Sequence, residues 1–93
     1  MKKVYIGVGH GGKDPGAFGV NGLKEKDLNL ITAKACRDEL KKHGVYVVIS
    51  REKDVEFELE ARISQCNRFS PDVAVDIHHN GGGGDGAEVY HTI

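Results

Sequence analysis

Two histidines and a glutamate, His10, Glu25 and His78, are the residues of this 93-residue sequence best suited to chemistry. Two imidazoles and one carboxylate make a ligand set typical of catalytic zinc, because three protein donors leave a fourth position for water. The three are scattered along the chain, so they form a site only if the fold gathers them. The elements that carry them decide this.

Lys3–Val8 (KVYIGV) is rich in β-branched and aromatic residues and stops at a glycine cluster, which predicts a largely buried strand with His10 just beyond it. Gly9–Gly22 is glycine-rich and contains Pro15, so it reads as a long loop, and long loops in compact domains are usually functional. Glu25 stands where that loop enters a predicted helix over Glu25–His43. Leu28, Ile31, Ala35, Cys36 and Leu40 define its apolar face, with Lys26, Lys34, Arg37, Asp38 and Lys41 mostly opposite. Gly44 suits the left-handed position after the last turn. Val45–Ser50 (VYVVIS) predicts a second buried strand. Phe57–Phe69 predicts a second helix, with Leu59, Ile63 and Cys66 at helical spacing, ended by Ser70-Pro71-Asp72. Val73–His78 (VAVDIH) predicts a third strand with His78 at its carboxyl end. A glycine-rich turn then leads to Ala87–Ile93, which has strand character. Cys36 and Cys66 belong to no C-x-x-C pair and fall on helix stripes, which predicts buried free thiols.

The order β-α-β-α-β-β over residues 1–93 defines a single α/β domain. It predicts a mostly parallel, twisted sheet with right-handed crossovers and helices on its faces. In open sheets of this kind ligands bind beyond the carboxyl ends of the strands. His10, Glu25 and His78 all map to that edge. Two helices are too few to cover both faces, and the sequence stops in a strand with no closing helix. One sheet face is therefore expected to be poorly covered and open to self-association, and the domain to be truncated.

The glycines fit a metal edge. Gly9, Gly11 and Gly12 flank His10 and allow close backbone approach to metal and substrate, while Gly16 reads as punctuation of the Asp14-Pro15-Gly16 turn. Arg51 and Asp54 read as a turn-forming pair. Gly7-Val8-Gly9-His10-Gly11-Gly12 also matches the dinucleotide fingerprint G-x-G-x-x-G, but that site needs a helix to begin at once. Lys13–Gly22, with Pro15 and further glycines, cannot be that helix, and no acidic residue stands at the end of the second strand.

Composition narrows the classes further. A net charge of −1 argues against a nucleic-acid surface, which needs clustered Lys and Arg. No stretch approaches membrane-spanning length. The amino-terminal apolar run is too short for a signal-peptide core and lacks a small-residue cleavage site.

Five segments in this order, GHGGKDPGAFG (Gly9–Gly19), EKDLNL (Glu25–Leu30), SREKD (Ser50–Asp54), LEARISQCN (Leu59–Asn67) and DIHHN with GAEVYH (Asp76–Asn80, Gly86–His91), resemble the zinc-dependent N-acetylmuramoyl-L-alanine amidases of the type 3 class. The resemblance covers nearly the whole chain and corresponds to the N-terminal part of that catalytic domain. It implies Zn2+ on His10, Glu25 and His78, and peptidoglycan as substrate. Gly11, Gly12 and Asn80 would then lie toward that substrate. The bond cut would be the amide between N-acetylmuramic acid and L-alanine. Action would be on the cell wall, whether by an autolysin or a phage-released endolysin.

The chain departs from the family pattern at several points. Gly7-Val8 stands where the family has Asp-Pro, and His79 where it has a small residue, as an alternative ligand or an exposed neighbour. Asp76 reads as a partner of the ligand shell or a strand-end cap, and Arg62 and Asn67 as packing and helix-to-strand hydrogen-bonding residues. The family's catalytic glutamate lies beyond Ile93, which leaves the general base unknown and Glu88 as the local candidate. The reading is therefore an amidase. Its alternative is a non-catalytic zinc or muropeptide-binding module lacking that glutamate.

Overall fold

The computed structural model describes residues 2–16, 18, 22–55, 59–80 and 86–92, with side chains of 79, 80 and 86–92 outside the description. Four strands, β1 (Lys3–Val8), β2 (Tyr46–Ile49), β3 (Val73–Asn80) and β4 (Gly86–Thr92), form one sheet in the order β2-β1-β3-β4. β1 pairs in parallel with β2 and β3, and β4 closes antiparallel on β3. Two helices, α1 (Glu25–Lys42) and α2 (Leu59–Phe69), make the crossovers. The expected α/β architecture is present, with three parallel strands, β2, β1 and β3, side by side.

The topology places the helices. The first crossover steps outward from β1 to β2, and the second steps back past β1 to β3. Right-handed connections in opposite directions put α1 and α2 on opposite faces. Side-chain alternation on β1 agrees. Val4, Ile6 and Val8 enter the cluster with Leu30, Ala33, Cys36 and Leu40 of α1, while the Tyr5 hydroxyl donates 2.7 Å to Gln65 Oε1 on α2. Ile6 is completely buried, a burial worth about 1.5–3 kcal/mol.

The two faces are unequally covered. α1 packs across β1, β2 and β3, whereas α2 packs on β1 and buries none of its residues fully. Leu59 and Ile63 of α2 remain 60% and 50% exposed, the thin cover expected from two helices. Both cysteines are free, but each is half-buried and not enclosed as the stripes suggested.

The phase of α1 differs from the hydrophobic reading. Its inner face carries Lys26, Asn29, Leu30, Ala33, Cys36 and Leu40, whereas Ile31 is 67% exposed and Ala35 is also outside. The first two turns bury polar groups because they enter the functional edge, where partners for those groups exist. Apolar content alone therefore rotated the expected face. At the other end Gly44 takes the expected left-handed conformation, φ 75°.

This corrected phase can be checked by paired substitutions and urea unfolding. Ile31→Lys is expected to change stability by no more than about 0.5 kcal/mol. Ala33→Leu should overpack the α1 interface and lose about 1–3 kcal/mol. The reverse ranking would restore the face read from apolar residues.

Candidate metal centre

The site is assembled at the carboxyl ends of β1 and β3, where α1 begins. Ser50 Oγ accepts the Val8 N–H at 2.8 Å, and Ile77 O accepts the Gly9 N–H at 3.1 Å, so the exit of β1 is held from both neighbours. The chain then turns at His10 with φ 61°, a left-handed conformation uncommon for a residue with a side chain. The Pro15 carbonyl accepts the Lys26 N–H at 3.0 Å and ties the returning loop to the first turn of α1.

Three side chains meet there. Glu25, 7% exposed, lies between the imidazoles, with Oε1 3.2 Å from His10 Nε2 and Oε2 3.0 Å from His78 Nδ1. The two rings stand edge to face with centroids 5.3 Å apart. One ligand atom from each of the three lies within 4.8 Å of the other two, an arrangement able to hold a metal ion. The residues picked out by the sequence are thus brought together.

The surroundings fix their orientation. His10 Nδ1 stands 2.7 Å from Asp14 Oδ2, and that hydrogen bond holds the Asp14 carboxyl below the ordinary range. Asn29, fully buried, donates 2.9 Å to the Gly9 carbonyl and 3.2 Å to Glu25 Oε2. Against these three side chains, glycine is required by contact at two points. A Cβ on Gly9 would come within 2.5 Å of the His78 ring. One on Gly16, where φ is 70°, would come within 2.6 Å of both Glu25 Oε1 and His10 Cδ2. Gly16 is therefore packed on Glu25 and His10 and is more than loop punctuation.

Other expectations move. The Gly11 and Gly12 amides donate to Asp14 O and Asp54 Oδ1, so both N–H groups already have partners within the chain. Arg51 and Asp54 do not pair with each other. Arg51 reaches the carbonyls of Gly9, His10, Lys26 and Lys53, while Asp54 binds Lys26 Nζ at 2.7 Å. Asp76 is in register with Gly7, and its carboxylate fills the space a Gly7 side chain would take, close to Arg62. Arg62 Nε is buried without a hydrogen-bond partner among the described residues, and Asn67 is exposed. The helix-to-strand bond is made by Gln65 instead.

Backbone register pairs Glu88 with His78 and Asn80 with Gly86, but the side chains of Glu88, Asn80 and His79 lie outside the described residues. Asp14 was read only as part of a turn, and Asn29 went unremarked in the sequence. Each stands four positions after a member of the cluster, His10 or Glu25, and for Asn29 that helical spacing was a usable signal.

Comparison with known proteins follows this geometry. Residues 4–92 match the N-acetylmuramoyl-L-alanine amidase family, and the chain belongs to it. It is 45% identical over 92 residues to the sporulation-specific N-acetylmuramoyl-L-alanine amidase of Bacillus subtilis, covering 97% of this chain and 36% of that protein. It is 39% identical over 94 residues to the endolysin of Bacillus phage SPP1, covering 99% of this chain and 34% of that one. The fold superposes on the catalytic domain of the amidase CwlV from Paenibacillus polymyxa with TM-score 0.84 and 37% identity, covering 90% of this chain and 48% of that domain. The chain thus spans less than half the length of each. Among the described residues no helix is long and apolar enough to cross a membrane.

The loop supporting the site makes a titration prediction. The hydrogen bond from Lys26 and then that from the Gly12 amide hold the Asp54 carboxyl below its ordinary 3.8. A depressed folded value stabilises the fold above pH 3.8 and loses that contribution as pH falls through the folded value. Carbon-detected NMR should place the Asp54 midpoint below 3.8, moving upward in Lys26→Met.

Proposed function

We propose that His10, Glu25 and His78 hold a zinc ion, and that this chain supplies the zinc-ligating part of a peptidoglycan amidase. The bond cut is the amide between N-acetylmuramic acid and L-alanine. The convergence of the three ligand atoms within 4.8 Å, on a chain of this family, carries the reading.

The donor chemistry fits a cation. Where the Nδ1 proton of His10 is donated to Asp14, Nε2 is left as an acceptor 3.2 Å from Glu25 Oε1, and a cation between two such acceptors would remove their repulsion.

Zinc bound there would act as a Lewis acid toward the scissile carbonyl and lower the pKa of water to about 7. The chain's own residues orient. Asp14 keeps the His10 proton on Nδ1 and so keeps Nε2 inward. Asn29 steadies the Glu25 carboxylate and the end of β1 with one amide group. A proton must also pass to the departing L-alanine nitrogen, a task in which a carboxylate gives about 10²–10⁴-fold. Glu88, paired with His78 in register, is the candidate this chain offers by position. The substrate places the action at the cell wall, whether in an exported autolysin or, as with the phage relative, an endolysin.

Calorimetry should find one zinc per chain. Asp14→Ala is expected to weaken it about 10–100-fold, and Glu25→Ala or His78→Ala by more than that. On purified walls, chelator-sensitive appearance of free L-alanine amino groups without new reducing ends is the expected outcome. Zinc retained with no amine released would reassign the chain as a zinc- or muropeptide-binding module. Undiminished zinc affinity in Glu25→Ala would remove the ligand assignment.

A further inference from the structure

Arg51 leaves the end of β2 and is 4% exposed. Among the described residues no carboxylate pairs with it. Its Nε donates 2.8 Å to the His10 carbonyl, and Nη2 donates 3.2 Å to Gly9 O and 2.9 Å to Lys26 O. Nη1 donates 3.1 Å to Lys53 O. A buried cation left unsatisfied is strongly destabilising, and here carbonyl oxygens from three separate segments satisfy it. Two of those segments carry proposed ligands. One is His10 itself, and the other is Lys26, next to Glu25.

The loop has no slack against this group. A Cβ on Gly11 would meet the Val55 carbonyl and come 2.8 Å from Arg51 Nε. From the other side Lys26 Nζ donates 2.9 Å to Gly12 O and pairs with Asp54, whose Oδ1 accepts the Gly12 N–H. His10 sits at φ 61°, and such a conformation persists only where its surroundings over-determine it. A planar fork can span several carbonyls in one rigid geometry, which the point charge of a lysine cannot.

We infer that Arg51 is a positioning residue for the metal centre, clamping the His10 loop to the start of α1 so that His10 and Glu25 keep their separation before metal arrives. This rests on the reading of His10, Glu25 and His78 as metal ligands, and the clamp is what adds to it.

Cobalt(II) is the probe, since its visible bands report ligand geometry. Arg51→Met, shown folded by circular dichroism, is expected to bind cobalt at least about tenfold more weakly, in the range for loss of an outer partner, with altered bands. Arg37→Met removes a cation from α1 that pairs with Asp38 and Glu52, and should leave both unchanged. Folded Arg51→Met with cobalt affinity within twofold of the unaltered chain and the same bands overturns the inference while leaving the metal site standing. No cobalt binding by the unaltered chain would remove the metal reading and the clamp together. Should Arg51→Met not fold, NMR of the unaltered chain decides. An Arg51 Nε–H protected from exchange and close to His10 and Gly11 is expected. One exchanging as freely as that of exposed Arg68 overturns the clamp.

Discussion

A single buried carboxylate between two imidazoles organises this molecule. Glu25 is held at the first turn of α1 with one oxygen toward His10 and the other toward His78. Those rings come from the loop after β1 and from β3, so the carboxylate joins the ends of two adjacent parallel strands through a helix start. α1 must therefore enter the sheet edge at one place and angle. Acidic residues in its first turn, Glu25 and Asp27, also suit the positive end of the helix dipole. Local propensity and site geometry agree at this point.

The supporting layer is polar and long-range. Arg51, Lys26, Asn29 and Asp54 connect the β1 exit, the loop and α1 through carbonyls and carboxylates. Burial pulls the Arg51 guanidinium below its ordinary value, while the Asp54 and then the Asp27 carboxylates push the other way. Such a network is favourable when every member is satisfied and costly when one is missing. The glycine backbone packed against it leaves little room for side chains. Strength and geometric precision thus lie at one end of the sheet, while the α2 face stays thinly covered, with Leu59 and Ile63 exposed. The CwlV catalytic domain is about twice the length matched here, 48% of it being covered. The part matched contains the strands and the helix start that bring His10, Glu25 and His78 together.

Strands and helices were legible from pattern alone, and so was the edge at which ligands collect, because parallel crossovers leave that edge open whatever the side chains. The phase of α1 was not legible. Ile31 looked like core and Lys26 like surface, yet the reverse holds. Hydrophobicity reports which residues avoid water, but a polar residue can be buried wherever a distant group satisfies it. Arg51 illustrates this most clearly, since its accepting carbonyls at Gly9 and His10 lie 42 and 41 positions back along the chain. Asp76 is a second case. Its register with Gly7 sets it on the α2 face beside Arg62, a juxtaposition that no local feature of VAVDIH reveals.

What the sequence by itself determined is the alternation of elements and the choice of His10, Glu25 and His78 as the residues the fold would gather, both encoded by residue type over short windows. The tertiary structure decided which polar groups hold those donors in place, which glycines touch them and which face of α1 is inside. The reason is that hydrogen-bond satisfaction and close contact depend on pairs of groups far apart along the chain. Only folding brings such pairs together.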